Sequence, residues 1–99
     1  MKLGFKKKLE ITKADIQRGI PEVHYCPIAL CITRTFKVKD DGGIYVDSKV
    51  IRIGDYIEVK TPSVAKKFIE EFDNCFDEED VVDKKLLAKV KPISFDLEL

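Results

Sequence analysis

Apolar and polar residues alternate without a break in ISFDLEL, where Ile93, Phe95, Leu97 and Leu99 share one parity and Ser94, Asp96 and Glu98 the other. A period of two over that length predicts a strand with one face on a core. In FKKKLEI, Phe5, Leu9 and Ile11 also share one parity, Lys7 being the exception, and a second amphipathic strand is expected. Two segments follow the helical period instead. At about 100° per residue, Ile28, Ala29, Ile32 and Phe36 form one apolar face, while Leu30 lies on the other side next to Arg34. A helix apolar on more than one side is expected to be central, or to carry part of an oligomer interface. The clearest helix puts Val64, Ala65, Phe68, Ile69 and Phe72 in one arc and Lys66, Lys67, Glu70, Glu71 and Asp73 in the opposite one.

Punctuation residues set the boundaries. Thr12 suits an N-cap, Asp15 stands at the reciprocal position of a capping box, and Ile11 and Ile16 occupy the positions of a hydrophobic staple. Gly19 is expected in the left-handed C′ conformation, with Pro21 stopping this short helix. Pro27 opens the second helix as its N1 residue. The DDGG stretch from Asp40 to Gly43 signals a turn, and IYVDSKVIRIGDYIEVK reads as strands broken near Asp47–Ser48 and at Gly54–Asp55. For the third helix Thr61 is the expected cap, Pro62 the first residue and Asn74 the closing one. Residues 75–89 fit either a short charged helix or a loop. The order is β-α-α-β-β-β-α-(α)-β. It implies a single α+β domain over residues 1–99, a mainly antiparallel sheet of four to five strands with two to four helices packed on it.

Composition narrows the setting more than the chemistry. The hydrophobic share of 44% is that of a globular chain. Lys+Arg and Asp+Glu balance at 18 each, so no net field draws the protein to nucleic acid or anionic lipid. Locally the charge is uneven, with Lys6 to Lys8 basic and residues 70–80 acidic, runs that read as solvated faces. The start MKLGFKKKLE lacks the apolar core of a secretory signal, and PIALCI is too short to cross a bilayer. Three cysteines cannot all pair within one chain. A cytoplasmic location, that of the host if the chain is phage-encoded, is the expectation.

The stretch VHYCPIALCITRTF concentrates the reactive residues: the chain's single histidine, His24, with Cys26 and Cys31. Zinc would need close ligand pairs. A five-residue step in a helix rotates about 140°, so Cys26 and Cys31 do not converge readily, and no metal site or cofactor is expected. Cys26 stands before a helix N-terminus, where free amides and the macrodipole favour a thiolate, and His24 is placed to act as a base. No third, orienting group stands at a recognisable spacing, so a small cysteine-dependent enzyme is an alternative reading and no catalytic residue is assigned. The amides of Ile28 and Ala29, with Arg18 or Arg34 supplying charge, instead suit an anion at the helix start. The candidate ligand-binding residues are therefore Arg18, His24, Tyr25, Cys26, Ile28, Ala29 and Arg34. With no tryptophan, RNP-like motif or basic helix, nucleic acid is not an expected partner.

The pattern I-T-x-x-D-I-x-x-G, then C-P-I-A-L, a Pro-opened helix ending F-I-x-x-F-D-N and a closing K-P-x-S-F-x-L-x-L strand occupies residues 11–19, 26–30, 62–74 and 91–99. It resembles a family of small uncharacterised proteins encoded by bacteriophages and their bacterial hosts. The chain departs from it at Cys31, where a small residue such as alanine is more usual, and in a long insertion at residues 75–89. The first departure argues against a shared two-cysteine site; the second leaves any activity of the insertion private to this protein. The resemblance implies a phage or prophage setting, in which small proteins often act by binding host defence proteins or nucleotide signals. The expected function is a non-enzymatic accessory binding protein, a homo-oligomer that counteracts host defence by sequestering a small anionic, nucleotide-like ligand. The alternative partner is a host protein, inhibited through the acidic surface of residues 77–83.

Overall fold

The computed structural model describes residues 6–37, 43–55 and 57–98. Five strands and four helices are described in the expected order: β1 (Lys6–Ile11), α1 (Lys13–Arg18), α2 (Pro27–Phe36), β2 (Ile44–Val46), β3 (Val50–Ile53), β4 (Ile57–Lys60), α3 (Ser63–Asp73), α4 (Lys84–Leu87) and β5 (Ile93–Glu98). Phe5, the Asp40–Gly42 part of the expected turn, Tyr56 and Leu99 lie outside the described residues.

The α+β class is realised with the strands divided between two antiparallel sheets. β1 pairs with β5 in one, Leu9 opposite Phe95 and Ile11 opposite Ile93. The other has the order β2-β3-β4, with Ile51 facing Val46 on one side and Val59 on the other. Alternation decides which side chains enter the core. Leu9 and Ile11 of β1, Ile51 and Ile53 of β3, and Phe95 and Leu97 of β5 are buried, while their polar neighbours are exposed. α3 adds Ala65, Phe68 and Phe72, with the last two rings stacked 6.4 Å apart.

α2 is the pillar of the core. Pro27, Ile28, Ala29, Cys31 and Ile32 are all buried, against α1, β1 and β2 of the same chain. Leu30, on the other side of the helix, is half-buried, so α2 is central within the molecule as expected. The exposed large apolar residues are separated along the chain, at Ile20, Val64, Val81 and Leu86.

Local signals hold where their partners are near in sequence. Asp15 N donates to Thr12 Oγ1 at 3.2 Å and Thr12 N donates to Asp15 Oδ2 at 2.9 Å, a reciprocal capping box. Ile11 and Ile16, the staple pair, are both buried. Two expected caps differ. Gly19 is extended, at φ −67° and ψ 152°, not left-handed. The position excludes a side chain because an added Cβ would lie 2.5 Å from Pro27 Cδ. Thr61 does not cap α3: its hydroxyl donates to Asp47 O at 2.8 Å, tying the end of β4 to the β2–β3 turn. The N-cap of α3 is Pro62, without a side-chain hydrogen bond.

Residues 75–89 combine both expected forms. Phe76 and Val82 form an isolated antiparallel bridge. Between them Asp77 Oδ1 accepts from the amides of Glu79 and Val81 at 2.8 and 3.0 Å, and Asp80 adopts φ 60°. Asp83 then caps the one-turn helix α4 through the amides of Lys85 and Leu86. No described helix is long and apolar enough to cross a membrane.

Candidate functional site

The chain enters α2 through a compact turn. Tyr25 N donates to Glu22 O at 3.0 Å and Ile20 N to Tyr25 O at 3.1 Å, which delivers Cys26 to the N-cap position. Val46 N donates to Val23 O at 2.9 Å, and His24 Nδ1 meets Ile44 O at 2.8 Å. The turn is thus stitched to the outer edge of β2.

Beside this turn lies a cleft of about 260 Å³. Cys26, Val46 and Ile69 are among its lining residues, and its carboxylates are Glu22, Asp47, Glu70 and Asp73; among the described residues no lysine, arginine or histidine lines it. Asp47 is committed to its own turn. The Val50 amide at 2.8 Å, the Tyr45 hydroxyl at 2.8 Å and the Lys49 amide at 2.7 Å hold its carboxyl below the usual value. Asp73 differs: burial pushes its carboxyl up. Glu22 Oε2 is buried and has no hydrogen-bond partner among the described residues. An unpartnered buried carboxylate oxygen costs free energy that a bound donor would recover.

The setting of Cys26 disfavours its thiolate. Burial pushes its thiol up to about 11; the amides of Ala29 and Ile28 oppose this, and the charges of Asp73 and Glu22 reinforce it. At pH 7 such a thiol is ionised in only about one molecule in ten thousand. His24, the expected base, does not line the cleft. Its Nδ1 is engaged by Ile44 O, and its ring meets Tyr45 and Tyr25 edge-on at 5.8 and 6.4 Å. Cys31 and Cys75 are also buried, their sulfurs against Glu10 O at 3.3 Å and Glu71 O at 3.4 Å. Among the described residues no three His, Cys, Asp or Glu side chains gather as metal ligands.

Of the seven residues expected to bind a ligand, only Cys26 lines the cleft. Ile28 and Ala29 are wholly buried, so their side chains are core. Tyr25 is half-buried against His24. Arg18 sits exposed in the last turn of α1, and Arg34 lies at the far end of α2, bonded to Asp15 at 2.7 Å. The cations meant to attract an anion are therefore absent from the cleft, and carboxylates stand there instead. Sequence reasoning missed Glu22 and Asp73 as site residues. The visible signal for Asp73 was the acidic run at the end of α3, whose last turn contains no basic residue, and Glu22 carried no such signal. Acids at a helix C-terminus oppose the macrodipole, an arrangement that fold stability does not favour.

No family model matches this chain, and neither a curated protein nor a solved structure matches it.

Proposed function

We propose that the protein is a non-enzymatic binding protein that engages a basic partner protein, with the Cys26 cleft receiving one lysine or arginine side chain. The observation that carries this reading is the acidic lining of the cleft by Glu22, Glu70 and Asp73, where Glu22 also holds a buried Oε2 with no hydrogen-bond partner among the described residues. A guanidinium or ammonium group supplies several donors and a positive charge, which is what such a pocket lacks. The hydrogen-bonded turn at Asp77 carries three further exposed acids, Glu78, Glu79 and Asp80, in the segment after α3. A small anion is disfavoured at the cleft by the same carboxylates. The motif resemblance supports a phage setting, in which the partner is a host defence protein inhibited by occlusion.

Thermal unfolding with graded agmatine and arginine methyl ester, against cyclic nucleotides and ADP-ribose, tests the sign of the ligand. The cations are expected to raise the midpoint, and Glu22→Gln combined with Asp73→Asn is expected to remove the effect while the fold persists. Stabilisation by the nucleotides but not by the cations would overturn the reading.

A further inference from the structure

A second concavity, of about 440 Å³, separates β4 from β5 on a surface that shares none of the cleft's residues. It is touched by consecutive residues of each strand: Glu58, Val59 and Lys60 on one wall, Asp96, Leu97 and Glu98 on the other. Consecutive strand residues point to opposite faces, so a groove that meets all of them runs along the strand edges.

The hydrogen-bond phase shows what those edges present. Thr61 N donates to Lys49 O, which makes these two a hydrogen-bonded pair in the β3–β4 register. Bonded and non-bonded pairs alternate in an antiparallel ladder. Ile57 and Val59 therefore bond to β3, and Glu58 and Lys60 turn their N–H and C=O groups outward. Across the groove, Glu10 O accepts from Cys31 Sγ and from Arg34 Nη2 and so points away from β5. Its register partner Ser94, and Asp96 two residues on, then direct their main-chain groups away from β1. Among the described residues, no hydrogen bond reaches the outward groups of Glu58, Lys60, Ser94 or Asp96. The outer edge of β2 is engaged by Val23 and His24, and that of β1 is met at Glu10 by side chains of α2.

We infer that this groove binds an extended peptide of alternating apolar and basic residues, which adds as a strand between β4 and β5 and joins the two sheets. A polypeptide main chain is the ligand whose donors and acceptors repeat at the spacing of both facing strand edges. A second copy is not the occupant, because the five described strands already lie in sheets and edge-to-edge pairing through β4 would leave β5 open. The inner face offers half-buried Val59 beside Leu97, which calls for apolar residues. Among the residues lining the groove, carboxylates outnumber Lys60. Glu58 is paired with Arg52 and Glu98 with Lys6; Asp96 stands opposite Lys8, whose ammonium is turned to Glu10 at 3.9 Å, and forms no ion pair among the described residues, which calls for basic residues between the apolar ones.

The probes are a blocked alternating valine–lysine octapeptide, the same peptide N-methylated at alternate positions, and its valine–glutamate counterpart. Amide exchange read by NMR on the full chain is expected to slow by about tenfold or more at Glu58, Lys60, Ser94 and Asp96 with the lysine peptide at saturation. The N-methylated and glutamate peptides are expected to give no such protection. Asp96→Lys, which leaves the main chain intact, is expected to weaken the lysine peptide several-fold. Absence of protection, equal binding of the N-methylated or glutamate peptide, or protection of the same amides by self-association without peptide would each overturn the proposal.

Discussion

Arg34 Nη2 meets Asp15 Oδ2 at 2.7 Å, joining the last turn of α2 to the first turn of α1. The same carboxylate oxygen accepts from Thr12 N, so one acid closes a helix cap and an interhelical contact together. The two partners are unequal: the Asp15 side chain is 9% exposed and that of Arg34 is 52% exposed. Asp15→Ala is expected to cost about 1–2 kcal/mol, because it removes one half of the capping box and leaves the part-buried Thr12 amide without its carboxylate partner. Arg34→Met is expected to cost about 1 kcal/mol or less, the solvent-facing guanidinium being screened. Urea denaturation of both variants and the double variant measures the pair. Equal single costs would show that the cap contributes nothing beyond the ion pair.

Gly19 and Pro27 make the second contact between the α1 and α2 segments. An added Cβ at Gly19 would lie 2.6 Å from Pro27 Cγ and 2.8 Å from its nitrogen, none of which can rotate away. Gly19→Ala is therefore expected to destabilise by about 1–3 kcal/mol as overpacking, without any strain in φ. A Gly19→Ala protein that melts with the parent would show that the two segments separate freely.

These two contacts mark how far the chain could be read before its structure was seen. The Thr12–Asp15 cap was legible because its bonds close within one helical turn, and the alternation in β5 was legible because a strand's burial repeats every second residue. The need for glycine at position 19 was visible but its cause was not, since Pro27 is a neighbour only in space. Thr61 was misread for the same reason: its hydroxyl finds Asp47, which approaches through the β2–β3 turn. The division into two sheets depends on which edges pair, and no local pattern encodes that. The cleft draws Glu22, Asp47 and Asp73 from separate segments. Only the cysteine among its lining residues stood out chemically, and it drew attention to an anion in a pocket built from acids.

The Cys26 thiol separates a binding protein from a cysteine enzyme. Burial carries it to about 11 and also raises Cys31 and Cys75 above the ordinary thiol value. The native protein is expected to react with a disulfide reagent slowly at pH 7, with the rate climbing until the pH nears 11. Stopped-flow kinetics with the single-cysteine variants resolves the sites. A fast phase from Cys26 with a midpoint at or below about 8.5 would reverse the assignment and restore the enzyme reading.

Asp73 ties the cleft to pH. Burial lifts its folded-state value above that of an ordinary aspartate, so over the interval between the two the native state binds more protons than the unfolded state. Its contribution to stability therefore falls as pH rises through that interval and is least favourable at neutral pH. Asp73→Asn is expected to be slightly more stable than the parent at pH 7, by less than about 1 kcal/mol because the carboxyl is partly solvated, and to match it in acid. Cation binding has the opposite slope, since a guanidinium prefers the ionised carboxylate that folding disfavours. Agmatine is expected to raise the melting midpoint at pH 7 and to lose that effect as the pH falls through the raised value of Asp73. The Asn variant should be the more stable protein and the weaker binder. If it binds agmatine as well as the parent, Asp73 is only a strained acid at a helix end, and the cleft does not select cations through it.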